Sequence, residues 1–154
     1  MIYRPAGCSD IPCLIRLRLA FLAELHGPLT EEQSASFSAT LEDYFRRCLG
    51  KTLLCYLAEE DGESVSTVFL TISEKPASES TPTGYFGTAL NVYTCPEYRR
   101  QGHAAALMRM AIEDGHNRNL SYIELMATAM GESVYRALGF SERTQGNKPM
   151  IFRF

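Results

Sequence analysis

The sequence contains no tryptophan, no large excess of either charge and no long apolar run. Its best apolar run, residues 53–58, is far shorter than the roughly 20 residues needed to cross a bilayer. Residues 1–6 lack the charged start and the apolar stretch of a signal peptide. We therefore expect a soluble, cytoplasmic chain that makes no contact with a membrane.

Charge and cysteine usage argue against two further classes of protein. The chain has 15 Lys and Arg against 18 Asp and Glu, and its basic residues are scattered rather than clustered. Nucleic-acid binding needs a basic face, so we expect no DNA or RNA partner. The five cysteines form no C-x-x-C pair, and the three histidines have no metal-binding spacing, so we expect no metal site. Cys13 and Cys55 lie in apolar periodic stretches typical of small core residues.

The 154 residues, of which 45% are hydrophobic, suit one domain over residues 1–154 with a single core. Hydrophobic periodicity and turn residues predict the order β-α-α-β-β-β-α-β-α-β, an α+β fold with a mixed α/β sheet. In the first half, the predicted elements are a strand at 2–5, a helix capped by Asp10 and stopped by Gly27-Pro28, and a helix from the Thr30 and Gln33 capping box to Gly50. Strands at 52–58 and 64–72 follow, joined by an Asp61-Gly62 turn. In the second half they are a strand at 87–94, a helix after Gly102, a strand at 121–128, a short helix at 132–138 and a terminal strand at 151–154.

Two of these segments carry the prediction of topology. Residues 121–128 are continuous and apolar enough for a strand at the centre of a sheet. With the strand at 87–94 and the helix between them, they predict a right-handed parallel crossover. The Ser-, Thr-, Pro- and Glu-rich segment 73–84 has no periodicity, which fits either a solvated hairpin tip or a functional loop.

The run Arg99-Arg100-Gln101-Gly102-His103-Ala104 lies where a predicted strand leads into a helix. A helix start leaves backbone N–H groups without partners, and glycine lets an anion approach them closely. Two arginines beside that start can pair with phosphate oxygens. The pattern therefore fits a pyrophosphate cradle, or else an ordinary helix start with solvated arginines. P-loop, dinucleotide-binding and serine-hydrolase signatures are absent from the sequence.

The run also resembles a known family. Arg99-x-x-Gly102-x-Ala104, preceded by Asn91-Val92-Tyr93-Thr94, is similar to the acyl-CoA signature of the GCN5-related N-acetyltransferase (GNAT) superfamily. Downstream, Tyr135-Arg136-Ala137-Leu138-Gly139-Phe140 is similar to the Y-x-x-x-G-F signature of that family. The two signatures span residues 90–140, and the predicted element order matches over nearly the whole chain. The resemblance implies a GNAT-like fold with splayed fourth and fifth strands and acetyl-CoA as co-substrate.

The resemblance also implies a role for particular residues. The pantetheine arm would lie in the gap between the fourth and fifth strands, the pyrophosphate would lie at the helix start, and Tyr135 would be the general acid. Backbone groups for the pantetheine arm would come from Val92, Tyr93 and Thr94. Pyrophosphate ligands would come from Arg99, Arg100, Gln101, Gly102, His103, Ala104 and Ala105, with Thr128 assisting there and Ser133 near the thiol.

The chemistry expected of Tyr135 is plausible for a phenol. When an amine attacks a thioester, the departing thiolate gains charge, and a phenol with a pKa of about 10 can protonate it. The alternative is a helix tyrosine that only packs beside Phe140. A backbone N–H of the strand, at Val92 or a neighbour, is a candidate oxyanion donor. Residues 83–94 contain no acidic residue, so we assign no general base; Glu24, Glu124 and His26 are candidates by proximity alone.

Two functional hypotheses from different classes follow. The first is an N-acetyltransferase that moves an acetyl group from acetyl-CoA to a primary amine of a small molecule or peptide by direct transfer. The second is a non-catalytic acyl-CoA-binding module on the same fold, which the missing strand carboxylate favours. The turn at 27–31 and the loop after Phe140 are expected to face the acceptor, and a homodimer is possible.

Overall fold

The computed structural model describes residues 1–143 and 150–154. The five strands of its sheet lie in the order β1-β2-β3-β4-β5, and all neighbours are antiparallel except β4 and β5, which are parallel. This arrangement confirms the mixed sheet and the parallel connection between β4 and β5. The elements in chain order are β1 (Ile2–Pro5), α1 (Ile11–His26), α2 (Glu31–Cys48), β2 (Leu53–Glu60), β3 (Glu63–Glu74), β4 (Tyr85–Thr94), α3 (His103–Asn117), β5 (Ile123–Glu124) and α4 (Glu132–Ala137).

Helices cover both faces of the sheet. On one face, Leu107 and Met108 of α3 pack with strand residues and with Tyr135 of α4 in one core cluster. On the other face, α1 and α2 pack through Leu14 and Phe45 into a second cluster. The sheet therefore separates two sides of the molecule, an α3 face and an α1/α2 face. None of the helices described here is both long and apolar enough to cross a membrane.

Local signals in the sequence determine several of the boundaries. The Thr30 hydroxyl accepts from the Gln33 N–H at 3.1 Å, and the Gln33 side chain accepts from the Thr30 N–H at 3.0 Å, which confirms the capping box of α2. Asp61 and Gly62 both have positive φ, as a two-residue type I′ turn between antiparallel strands requires. These features need only a few neighbouring residues, so the sequence alone predicts them.

Asp10 precedes α1 as predicted, but its side chain does not cap the helix. Its carboxylate instead accepts from the Gly7 N–H at 2.7 Å and from both terminal nitrogens of Arg4. Arg4 also binds Glu59 of β2, so one guanidinium joins β1 to two carboxylates. Hydrogen bonds from Arg4 lower the pKa of both Asp10 and Glu59.

Replacing Arg4 with methionine is expected to lower the free energy of unfolding at pH 7 by about 1–3 kcal/mol, because both carboxylates lose a charged donor. A carboxyl whose pKa is lowered by folding stabilises the protein above its unfolded pKa of about 4 and loses that contribution as pH falls through its folded pKa. The difference from wild type, measured by urea unfolding, should therefore shrink below about pH 4. Arg47→Met, which removes an exposed pair with Asp43, should change stability by no more than about 0.5 kcal/mol. If the difference in free energy of unfolding between wild type and Arg4→Met does not change with pH, the stabilising role assigned to the two carboxylates is contradicted.

Two predicted strands require correction. The segment 121–128 is not a central strand; within the described residues only Ile123 and Glu124 form a strand, which pairs with β4 at the edge of the sheet, and Ser121 and Tyr122 add one backbone hydrogen bond each to β4. Leu125 packs against the core, whereas Met126 is 96% exposed, so the apolar run indicates partial burial and not central pairing. Residues 151–154 form no strand and are exposed, because an alternating pattern does not itself provide a neighbouring strand.

The segment 73–84 connects the antiparallel strands β3 and β4, as the predicted hairpin tip would. Its first two residues belong to β3, and Ser78 and Thr81 exchange backbone hydrogen bonds of 3.0 and 3.1 Å in a local turn. Lys75 binds the Tyr122 hydroxyl at 2.8 Å and lies over the Phe86 ring, which holds the connection against the sheet. The segment is therefore an ordered turn between two strands.

Candidate active site

The N-terminus of α3 presents backbone N–H groups to a ligand or to solvent. The helix ladder begins with the bond from the Ala106 N–H to the Gly102 carbonyl at 3.0 Å, and no side chain caps the helix. Gly102 has a φ of +86°, and a Cβ added there would meet no atom within 4 Å among the described residues. Because the helix dipole favours negative charge at this end, the open space suits an anion.

The two arginines before this helix point in different directions. The Arg99 Nε donates to the Thr94 carbonyl at 2.9 Å, and its guanidinium pairs with Glu24 of α1. Its Cζ also lies 5.8 Å from the centre of the Tyr93 ring. Arg100 is exposed and pairs with no carboxylate in the described part of the chain. Arg100 is therefore the arginine available to an anion at the helix start, while Arg99 holds α1 against the end of β4.

The other side chains of the helix start do not fill the space beside it. The Gln101 amide turns back to the Glu97 carbonyl at 3.3 Å. His103 is 6% exposed, and its Nδ1 lies 2.9 Å from the Tyr3 hydroxyl of β1, so its imidazole is directed toward the first strand. Ala104 and Ala105 are small and half-buried. These residues therefore offer backbone N–H groups to a ligand and leave the approach open.

A gap between β4 and β5 leads to the same end of the sheet. The two strands pair at Gly87 with Ile123 and at Thr88 with Glu124, and beyond Thr88 the described residues provide β4 with no strand partner on that side. The splay predicted from the family resemblance is thus observed.

Backbone directions along β4 decide which of its groups face this gap. The Tyr93 carbonyl accepts from the Ser66 hydroxyl at 2.9 Å, so the Tyr93 backbone faces β3. Because successive residues of a strand present their backbone groups to opposite sides, Val92 and Thr94 face the gap. The Thr94 carbonyl is already bonded to Arg99, as described above.

Tyr135 lies on α4, next to Gly131 and Phe140. Its ring meets Phe140 edge to face at 6.0 Å, and it belongs to the same core cluster against which Val92 of β4 packs. The residue is 9% exposed, and burial raises the pKa of its phenol. Within the described residues its hydroxyl has no hydrogen-bond partner, and it is not among the atoms sealed from solvent. The phenol is thus protonated at neutral pH and free to donate.

The remaining predicted residues flank α4. The Thr128 hydroxyl accepts from the Gly131 N–H at 3.2 Å and closes the turn that starts the helix. Ser133 is exposed on the first turn of α4. Both residues follow β5 in the chain, and their roles toward a ligand stay predictions.

The carboxylates proposed by proximity as general bases are both engaged in ion pairs. Glu24 pairs with Arg99, and Glu124 pairs with Arg143 at 3.0 Å. His26 is exposed at the end of α1. Across the described residues, no cluster of three or more metal-ligating side chains is present. The structure thus adds no assignment of a base.

Residue 91 of β4 was missed as a site residue. Asn91 has a φ of +51°, and the register between β3 and β4 shifts beside it, so the strand bulges there. Leu90 packs toward the α1/α2 face, and Asn91 bonds Arg18 of α1 on that same face, whereas Val92 packs toward the α3 face. An asparagine inside an alternating strand was the available signal, because asparagine is depleted in strands and tolerates positive φ.

Clefts elsewhere in the molecule are separate from this site. One, of about 510 Å³, lies along the β3–β4 connection and is lined by Lys75 and Gly84. Another, of about 390 Å³, lies between α3 and α4 and is lined by Ile112 and Leu138. The candidate site is instead an open groove formed by the helix start and the strand gap.

Comparisons with known proteins bear on the family and the fold. The sequence profile of the acetyltransferase (GNAT) domain matches residues 51–142. A GCN5-related N-acetyltransferase from Ralstonia eutropha JMP134 has a similar structure, with 27% identity, 97% of each chain covered and a TM-score of 0.79. A search of curated protein sequences found no match.

Two further solved structures share the fold at lower identity. One is a predicted acetyltransferase with acetyl-CoA from Clostridium acetobutylicum, with 23% identity, coverage of 97% of this chain and 95% of that chain, and a TM-score of 0.80. The other is an aminoglycoside antibiotic 6′-N-acetyltransferase from Acinetobacter haemolyticus, with 21% identity, full coverage of both chains (100%) and a TM-score of 0.70.

Proposed function

Because the chain belongs to the GNAT acetyltransferase family, we propose that it transfers an acetyl group from acetyl-CoA directly to a primary amine of a small molecule or peptide. The observation that carries the proposal is the uncapped start of α3 at the end of the gap between β4 and β5. This geometry offers an anion site and an extended backbone edge side by side.

The residues present fit an acyl-CoA. The N–H groups of residues 101–105 and the Arg100 side chain would hold its pyrophosphate, since no side chain obstructs the space at Gly102. Val92 and Thr94 would bond the pantetheine arm from the edge of β4, and the Thr128 and Ser133 hydroxyls would lie on the other side of that arm. The bound carrier supplies a thioester, whose carbonyl carbon is the electrophile.

Tyr135 would supply the proton that the departing sulfur needs. As the C–N bond forms and the C–S bond breaks, the phenol would give its proton to the sulfur, the amine would lose one proton to solvent, and the phenolate would regain a proton from solvent. Burial raises the pKa of Tyr135, so the phenol is in its acid form at neutral pH.

The second candidate is a non-catalytic acyl-CoA-binding module. It is favoured by the ion pairs of Glu24 and Glu124, which leave no free carboxylate at the positions considered for a base. A cytoplasmic location and a homodimer stay predictions for either function.

A thiol-release assay separates the two candidates. The protein is incubated with acetyl-CoA and a panel of primary amines, and free thiol is measured against a control without amine. Amine-dependent release is expected for a transferase. The binding module would be favoured if coenzyme A or acetyl-CoA, but not NAD, raises the melting temperature and no amine-dependent release of thiol is seen. A ligand at 100 times its Kd adds about 2.7 kcal/mol to the free energy of unfolding, which a melting curve detects. No response to either carrier would contradict both candidates.

A further inference from the structure

Arg18 of α1 is a half-buried cation for which no carboxylate in the described ranges provides an ion pair. Its Nη1 donates to the Asn91 side-chain oxygen at 3.2 Å, and its Cζ lies 5.7 Å from the centre of the Phe21 ring. Burial lowers the pKa of Arg18, while Tyr44 acts in the opposite direction. By contrast, each other arginine of α1 and α2 has a carboxylate partner; these are Arg16, Arg46 and Arg47.

Asn91 adds a second set of unused donors at the same place. It is 3% exposed, and its Nδ2 is closed off from solvent without a hydrogen-bond partner in the described chain. The amide orientation is fixed by Arg18, because a guanidinium has no acceptor and so must face the amide oxygen. At the bulge of β4 the accessible donors are therefore the remaining N–H groups of the half-buried Arg18 guanidinium, which suit a ligand with acceptor oxygens.

The position of this pair relates it to the acceptor and not to the acyl carrier. Val92 and Tyr135 contribute to the core cluster on the α3 face, whereas Arg18 and Asn91 meet on the α1/α2 face. An acceptor must approach the thioester from the side that the carrier leaves open. Arg18 and Asn91 lie on that side, at the bulge beside the gap.

We propose that Arg18, held in place by Asn91, binds a carboxylate on the acceptor, so that the preferred substrate is an amine that also carries a carboxylate. The inference rests on the proposed acetyl transfer and names its substrate class. A planar guanidinium with its remaining N–H groups free matches the two oxygens of a carboxylate. Asn91 fixes the position of this guanidinium, because its side-chain oxygen accepts from the Arg18 Nη1 at 3.2 Å.

Matched acceptors test the proposal. Each is an ω-amino carboxylate with at least two methylenes between its groups, compared with its carboxamide and with the corresponding phosphonate. The carboxylate is expected to have a KM about ten- to hundredfold lower than the carboxamide, the range typical of hydrogen bonds to charged groups. Equal KM values for the carboxylate and the carboxamide, or a lower KM for the phosphonate, would overturn the proposal.

Variants assign the preference to this pair. Arg18→Met is expected to remove the advantage of the carboxylate while leaving the carboxamide's KM within about twofold, and Asn91→Asp should do the same by pairing with Arg18 in place of the ligand. Arg47→Met, an exposed arginine of α2, should keep the preference. If Arg18→Met and Arg47→Met behave alike, the assignment is wrong. Far-UV circular dichroism and melting curves establish that each variant is folded.

A binding measurement keeps this inference distinct from the proposed function. Calorimetry follows the binding of an ω-amino carboxylate and its carboxamide to the wild-type protein and to Arg18→Met without acetyl-CoA. If the wild-type protein binds the carboxylate and Arg18→Met does not, the anion site is supported, whether or not any amine is acetylated. A failure to acetylate any amine would contradict only the proposed transferase. If amines are acetylated with no preference for the carboxylate, or if the wild-type protein and Arg18→Met bind the carboxylate equally, only the anion site is contradicted.

Discussion

Tyr135→Phe is expected to lower kcat by about 10²- to 10⁴-fold, the range typical of a lost general acid. Phenylalanine keeps the ring and its edge-to-face contact with Phe140, so packing on the α3 face should be preserved. The Kd for acetyl-CoA should stay within about twofold, because the phenol acts on the departing sulfur and not on the ground-state carrier. Stopped-flow or steady-state thiol release gives kcat, and calorimetry gives Kd.

The pH profile provides an independent check of the same role. Since burial raises the pKa of Tyr135 above its ordinary value of about 10, the acid form persists through neutral and mildly alkaline pH. At pH values below about 10, the wild-type kcat should therefore not be lowered by deprotonation of this phenol. Tyr85→Phe, at an exposed tyrosine of β4, is the matched control and should leave kcat unchanged. If Tyr135→Phe has the same kcat as the wild-type protein, Tyr135 contributes packing and is not the general acid.

Gly102→Asp is expected to weaken acetyl-CoA binding far more than Gly102→Asn. Both residues tolerate the positive φ at this position better than other side chains do, and both have nearly the same size. They differ by one negative charge at the proposed pyrophosphate site. Repulsion at about 4 Å is worth roughly 1–4 kcal/mol near a protein surface, which corresponds to a roughly five- to thousandfold difference in Kd.

Calorimetric titration of the two Gly102 variants at low and moderate salt measures this difference. Added salt should reduce the gap between the two Kd values, because screening weakens charge repulsion at an exposed helix start. Equal Kd values for the two variants would place the pyrophosphate elsewhere on the molecule. Melting temperatures of both variants establish that any difference in affinity does not come from unfolding.

The features that the sequence predicted well depend on near neighbours. The capping box of α2 joins two residues three positions apart, and the turn at Asp61 and Gly62 needs only local backbone freedom. Both the approximate bounds of the helices and the position of the helix start at Gly102 followed from such signals.

Strand pairing was harder to predict, because it depends on residues far away in the chain. The segment 121–128 is apolar, yet only Ile123 and Glu124 form a strand, and beyond Thr88 the described residues give β4 no parallel partner. Residues 151–154 alternate in polarity but have no strand beside them. The loop after Phe140, expected to face the acceptor, falls partly on residues 144–149, which lie outside the described residues.

Side-chain directions within the site also required the structure. The signature placed Arg99 beside the phosphates, but contacts with Thr94 and Glu24 draw its guanidinium toward α1. Arg18 and Asn91 are 73 positions apart, so neither periodicity nor a local pattern associates them. The sequence thus located the backbone of the site, and the tertiary contacts decided which side chains remain free to act.

The hydrogen bond between Tyr3 and His103 joins residues 100 positions apart. It therefore affects how far the chain can be truncated before the fold loses a long-range contact. The matched profile begins at residue 51, so β1 lies outside it. A fragment cut at that boundary would retain every signature residue but would lose the partner that orients the first imidazole of α3, and it would uncover the edge of β2. The recognisable motif and the smallest self-supporting unit are therefore not the same stretch of polypeptide.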